Sequence, residues 1–189
     1  MRLFTALDPS PEVHDNLKQL LDRLRPIARF RWSRPEGLHL TLKFIGQWPD
    51  ARLAEMRQAL SSVTFAPFDI GLSGLGFFPN PRSPRVFWVG IQAGPELGKL
   101  AALVDHTLEP LGVEAEKRAY SPHLTLARIE SGTRLEALQQ AIQGLPSVEF
   151  GSFRADRFYL YESRPVAGVS IYTRMGEFPR QPEAKPSTV

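Results

Sequence analysis

The sequence predicts an α+β fold of two related lobes, each of strands with a flanking helix, around a central cleft. Three observations carry this reading. Stretches whose apolar residues follow helical spacing are separated by short strand-like runs. Seventeen prolines and 14 glycines in 189 residues interrupt the chain too often for an all-helical bundle. The chain also resembles itself at an offset of 84 residues.

Residues 2–7 are a short, largely apolar run and read as a strand, ended by Asp8-Pro9. Ser10 is a good N-cap, and Pro11 suits the first helical position, where its missing N–H has no intrahelical partner to lose. Val13, Leu17, Leu20, Leu21 and Leu24 then recur on one helical face until Pro26. Residues 29–33 and 38–45 read as strands. Asp50 is placed to cap a second helix carrying Leu53, Met56 and Leu60 on one face. Residues 68–75 and 86–91 read as strands about a turn-rich stretch from Phe78 to Pro84. Pro95 opens a third helix with Leu97, Leu100, Ala101, Val104 and Leu108 inward, ending before Pro110. Residues 121–128 read as a strand. Thr133 with Glu136 forms a capping-box pattern for a fourth helix that stops at Gly144. Residues 148–153, 156–162 and 168–174 close the fold as strands. A single domain is thus expected over residues 1–176, followed by a flexible proline-containing tail, 177–189.

Composition narrows the function. Hydrophobic residues at 42% and charged residues at 23% suffice for a real core. The chain has no cysteine, which excludes disulfides, zinc–cysteine sites, iron–sulfur clusters and a thiol nucleophile, and fits a reducing cytoplasm. No apolar run approaches the roughly 18 residues of a membrane span, and the first residues do not read as a signal peptide, so no membrane association is expected. The net charge of +3 is compatible with a polyanionic ligand without requiring one.

The repeat is the most informative feature. At the 84-residue offset Pro11-Glu12 falls on Pro95-Glu96, Leu24 on Leu108, and Pro26 on Pro110. His39-Leu40-Thr41-Leu42 falls on His123-Leu124-Thr125-Leu126, in a chain with only four histidines. Strand side chains alternate, so His39 and Thr41 share one face while Leu40 and Leu42 enter a core; His123 and Thr125 behave alike. Lobes related by an approximate two-fold bring both pairs to one cleft. One imidazole can then accept a proton while the other donates one. The threonine hydroxyls can donate to an anionic oxygen. Such a cradle suits hydrolysis or transesterification of a phosphodiester, and a strained 2′,3′-cyclic phosphate is an apt substrate.

The contexts Leu38-His39-Leu40-Thr41-Leu42-Lys43-Phe44-Ile45-Gly46 and Ser121-Pro122-His123-Leu124-Thr125-Leu126-Ala127-Arg128 resemble the 2H phosphoesterases. The opening Arg2-Leu3-Phe4-Thr5-Ala6-Leu7, the segment Arg85 to Gly90, and Leu160-Tyr161-Glu162-Ser163 are similar to the RNA 2′,3′-cyclic phosphodiesterase branch, also called 2′-5′ RNA ligase. The resemblance implies two antiparallel sheets facing the cleft and opening of an RNA 2′,3′-cyclic phosphate to a 2′-phosphomonoester, with no metal or other cofactor. It implies His39 as proton donor, His123 as the base that activates water, and Thr41 and Thr125 as the phosphate-holding hydroxyls. RNA with a cyclic end, or a cyclic nucleotide, is the implied partner. No protein partner is implied, and a monomer is the default. Ligation in the reverse direction uses the same groups, and a nucleotide- or RNA-binding module without activity is a third reading.

Other residues have two readings each. Arg128, five after His123, lies on the opposite face unless the strand ends or bulges first; it binds phosphate, as the resemblance implies, or makes a solvent salt bridge. Lys43, four after His39, shares its face in a regular strand and reaches the phosphate or solvent. Phe4 and Tyr161 stack on a base or belong to the core. The run Arg23, Arg25, Arg29, Arg31 and Arg34 guides an RNA backbone or is a solvated face. His14 and His106 have no counterpart at the repeat offset and read as surface residues.

Overall fold

The computed structural model describes residues 1–130, 132–166 and 169–179. In chain order the elements are β1 (Arg2–Leu7), α1 (Pro11–Leu24), β2 (Arg31–Trp32), β3 (Leu40–Gln47), α2 (Leu53–Leu60), β4 (Phe68–Phe78), β5 (Val86–Ala93), α3 (Pro95–Leu108), β6 (His123–Arg128), α4 (Glu136–Gln143), β7 (Glu149–Ala155), β8 (Phe158–Val166) and β9 (Val169–Phe178). The two matched helices, α1 and α3, begin and end 84 residues apart. Ser10 caps α1 as its sequence predicts, its hydroxyl 3.4 Å from the Val13 amide.

The strands form one antiparallel path, β7-β4-β5-β6-β3-β1-β8-β9, with β2 on the edge of β6. The path is two four-stranded sheets joined by a single pair, Leu40 opposite Leu124. These leucines are themselves equivalent in the repeat, so the pseudo-two-fold passes through their contact. Little else pairs there because other partners take the neighbouring groups. Tyr120 donates its hydroxyl to the Thr41 carbonyl at 2.8 Å, and Ser33 donates to the Thr125 and Leu126 carbonyls at 2.9 and 2.8 Å.

The lobes are more interwoven than the sequence repeat implies. The β4 strand of the first half pairs with β5 of the second, while β8 of the second half pairs with β1 of the first. The helices cross over too. Asn16 of α1 donates to the Phe150 carbonyl on β7, whereas α3 packs behind β3 and against α2. Each sheet thus buries one face under helices of both chain halves, and one continuous core results. No helix among the described residues is long and apolar enough to cross a membrane.

Three local expectations fail for identifiable reasons. Asp50 does not cap α2, because its carboxylate accepts from the N-terminal ammonium of Met1 at 2.9 Å. Thr133 does not cap α4; its hydroxyl turns back to the Glu130 carbonyl at 2.7 Å. The strand expected at 29–33 shrinks to Arg31–Trp32, since β2 has only the outer end of β6 to pair with. At the C-terminus β9 runs through a buried Phe178, so Glu177 and Phe178 belong to the sheet, not to the tail. The rest of that tail, 180–189, lies outside the described residues.

Candidate active site

The register of the Leu40–Leu124 pair sets the site. It puts His39 across from Thr125 and Thr41 across from His123, all four on the face turned away from the helices. The four form a square with the histidines on one diagonal and the threonines on the other.

Both imidazoles are held alike. Nδ1 of His39 lies 2.7 Å from the Gly37 carbonyl, and Nδ1 of His123 lies 2.8 Å from the Ser121 carbonyl. A carbonyl only accepts, so each Nδ1 carries the proton and each Nε2 is left as the nitrogen that exchanges one. Beyond this the surroundings differ. His39 packs on the tilted Phe4 ring at 4.7 Å, meets Tyr172 edge-on at 5.1 Å, and has Tyr161 at 6.4 Å. His123 meets Phe78 edge-on at 4.9 Å. Burial pushes the His39 imidazolium below the ordinary histidine range; the Gly37 carbonyl and the Asp8 charge oppose this, and Arg128 adds to it.

Matched bulges decide which basic residue reaches the site. In β6 the register shifts between Thr125 and Ala127, leaving Leu126 as an extra residue. Arg128 therefore returns to the histidine face, exposed, and its charge is felt at His39. Glu130, two residues on, is held by Arg31 at 3.1 Å. The same bulge in β3, at Leu42, acts oppositely on Lys43. Lys43 is turned to the core, only 6% exposed, where it is ion-paired with Asp105 of α3 and donates to the Glu114 carbonyl at 2.6 Å. The expectation that Lys43 faces the phosphate is thus corrected: a regular strand would have put it there, and the bulge does not. The position equivalent to Arg128 in the first lobe is Phe44, 60% exposed.

Phe4 is also reassigned. It is 3% exposed, between His39 and Tyr161, so it backs the histidine and offers no face to a base. Tyr161 is half-buried on Phe4, its hydroxyl on Asp8 at 2.7 Å. It lines a recess of about 350 Å³ beside His39, together with Asp8, His14, Glu36 and Tyr172. Asp8, Tyr172 and His14 are therefore site neighbours that the sequence reading missed. His14 is tied by Nε2 to the Pro35 carbonyl at 2.8 Å, whereas His106 is exposed beside Glu109 as expected. The place of Asp8 follows from the strand register, since it lies two residues beyond Ala6, which faces Thr41 across the sheet, and the sequence alone does not give that pairing. The arginine run does not act as one face. Arg23, Arg25 and Arg31 are held by the Gly144 carbonyl, the Ser33 carbonyl and Glu130 respectively.

An anion at the centre of the square meets two hydroxyls and, at opposite corners, two imidazoles able to exchange protons, with a guanidinium nearby. The LigT-like phosphoesterase family matches the chain twice, over residues 7–88 and 89–172. An RNA 2′,3′-cyclic phosphodiesterase of Archaeoglobus fulgidus is 36% identical over 178 residues, spanning 94% of this chain and 99% of the relative. One of Thermus thermophilus is 35% identical over 187 residues, spanning 94% and 89%. Among solved structures, a protein of Thermus thermophilus superposes with a TM-score of 0.78 at 29% identity, covering 94% of this chain and 97% of that one. E. coli LigT complexed with 3′-AMP superposes with a TM-score of 0.77 at 26% identity, covering 94% and 96%. The doubled match falls on the two halves whose histidine strands meet at the pseudo-two-fold, and the chain belongs to the LigT-like phosphoesterase family.

Proposed function

We propose that this protein hydrolyses RNA 2′,3′-cyclic phosphate ends to 2′-phosphomonoesters, using two histidines and no metal. The observation that carries the reading is the diagonal placement of His39 and His123 about one point, fixed by the Leu40–Leu124 register. In-line displacement at phosphorus needs the entering and leaving oxygens on opposite sides. Imidazoles on opposite sides of a bound phosphate would each be in reach of one of those oxygens. The names of the relatives, RNA 2′,3′-cyclic phosphodiesterases, support the substrate class.

On this reading Nε2 of His123 takes a proton from water as its oxygen bonds to phosphorus. The bond to the 3′ oxygen breaks, and His39 gives that oxygen a proton. The hydroxyls of Thr41 and Thr125 and the Arg128 guanidinium hold the non-bridging oxygens. Both histidines come from one chain, so the proposed enzyme works as a monomer, and its cysteine-free sequence suits the cytoplasm.

The test is an oligoribonucleotide ending in a 2′,3′-cyclic phosphate, incubated with the protein in EDTA, with the terminal phosphate identified. A 2′-phosphate is expected. Intact cyclic ends would overturn the reading, and activity lost to EDTA and restored by a metal would overturn its metal-free part. Arg128→Ala is expected to lower kcat/KM about 10- to 100-fold, the worth of one or two charge-assisted hydrogen bonds to an anion. An unchanged kcat/KM would return Arg128 to the solvent.

A further inference from the structure

The two histidines are related by a pseudo-two-fold, yet proton transfer requires them to act differently. We propose that Asp8 is the residue that breaks this symmetry: its carboxylate, fixed by Tyr161 and Arg174 in the recess beside His39, holds His39 as the proton donor. The inference rests on the proposed hydrolase reading for its kinetic consequences, but not for its effect on the His39 ring.

The geometry is a built one. Oδ2 of Asp8 accepts from the Tyr161 hydroxyl at 2.7 Å and from Nη2 of Arg174 at 2.7 Å. Arg174 in turn lies 3.7 Å over the Tyr159 ring. Tyr161 stacks on Phe4 at 5.4 Å, and Phe4 packs against His39. Asp8 and His39 line the same recess. The carboxylate is thus pinned within the field of the imidazole by groups that also pack the stack behind it.

Among the described residues the second lobe has no such device. By strand register Phe4 corresponds to Val86, Tyr161 to Phe78, and Asp8 to Gly90. At Gly90 a β-carbon would strike the Ser73 carbonyl, so no side chain is accommodated there. His123 therefore has an apolar ring, Phe78, where His39 has an ionised network.

The charged and titratable groups around His39 come from every packed element. Asp8 stands at the end of β1, His14 on α1, and Glu36 on the turn before β3. Arg128 comes from β6, Tyr161 from β8, and Tyr172 and Arg174 from β9. Burial and Arg128 act against a proton on His39; the Gly37 carbonyl favours it, as Ser121 can for His123, and Asp8 favours it on this side only. Burial also pushes the Tyr161 phenol well above its ordinary range, so it stays a donor to Asp8.

Asp8→Asn tests this, because the amide oxygen still accepts from Tyr161 while the charge is lost. The His39 ring titration, followed by NMR in the free protein, is expected to move down by about one pH unit, the scale of a single nearby charge. His123, which does not line this recess, is the internal reference. In the kinetics the two sides of the pH profile separate the roles. Above both titrations the rate depends on the proton left on the acid, so kcat/KM should fall about three- to tenfold. Below both it depends on the free base and should not change. Asp8→Glu should recover much of the loss, and Tyr161→Phe, which keeps the charge, should leave the His39 titration near wild type. An unmoved His39 titration in Asp8→Asn would overturn the proposal. So would a rate that rises on the acid side with the alkaline side unchanged, which would make His39 the base. Absence of any turnover by the wild type would sink the hydrolase reading, while the ring titrations still judge Asp8.

Discussion

Alanine at either His39 or His123 is expected to lower kcat on a cyclic-ended oligonucleotide by about 10³-fold, with KM changed little. Positioned proton transfer contributes about 10²- to 10⁴-fold, and each variant removes one of the two transfers. Thr41, Thr125 and Arg128 remain to hold the phosphate, which is why binding persists. The two rings act in one displacement, so the double variant should fall little below the worse single one. His123→Ala is the cleaner change. His39 is packed among Phe4, Tyr172 and Tyr161, and its loss leaves a hole there. The wild-type profile should be bell-shaped: at low pH the base is protonated, and at high pH the acid has lost its proton. Burial pushes His39 down, so the free protein begins to lose that proton below the ordinary histidine range. A bound phosphate anion shifts it back upward, and kcat should therefore hold to higher pH than kcat/KM. Single-turnover assays across pH measure both. A rate within tenfold of wild type for either alanine variant would remove that histidine from the chemistry.

How much of this was legible in the sequence follows from what repeats and what does not. The helices α1 and α3, and the two His-Leu-Thr-Leu strands, share local patterns that survive any rearrangement of neighbours. The exchange of β4 and β8 between sheets leaves no local trace, because a half-buried strand alternates in the same way whichever partner it finds. The bulges at Leu42 and Leu126 were equally hidden. Their consequence is large, since one extra residue reverses the face of everything that follows. Arg128 reaches the site and Lys43 leaves it for the same reason. Caps failed where a competitor outside the local window was stronger: the Met1 ammonium took Asp50. The Asp8 network escaped notice because its partners, Tyr161 and Arg174, lie more than 150 residues away. Sequence alone also made the two histidines nearly equivalent, while the asymmetry lies in what packs behind each ring.

Lys43 gives the largest expected effect on stability. Its ammonium is buried on β3 with two partners, the Asp105 carboxylate and the Glu114 carbonyl. Removing one partner of a buried ion pair costs about 3–5 kcal/mol, because the remaining charge has neither water nor counterion. The two ends are not alike. Asp105 is 20% exposed and also accepts from the Glu116 amide at 3.1 Å, so it retains some solvation without Lys43. Lys43 has only a neutral carbonyl left without Asp105. Asp105→Ala should therefore destabilise by about 3 kcal/mol or more, lowering Tm by about 6–12 °C for a chain of this size. Lys43→Met, of similar volume and apolar, should cost less, about 1 kcal/mol, since it removes the buried charge together with its need for a partner. Both folded variants should keep KM for a cyclic-ended oligonucleotide at 25 °C, because the β3 bulge turns Lys43 to the face opposite His39. Thermal unfolding and steady-state kinetics on the same preparations decide the matter. A KM raised tenfold or more in Lys43→Met with Tm unchanged would mean that the lysine reaches the substrate, and that the bulge at Leu42 does not persist in solution.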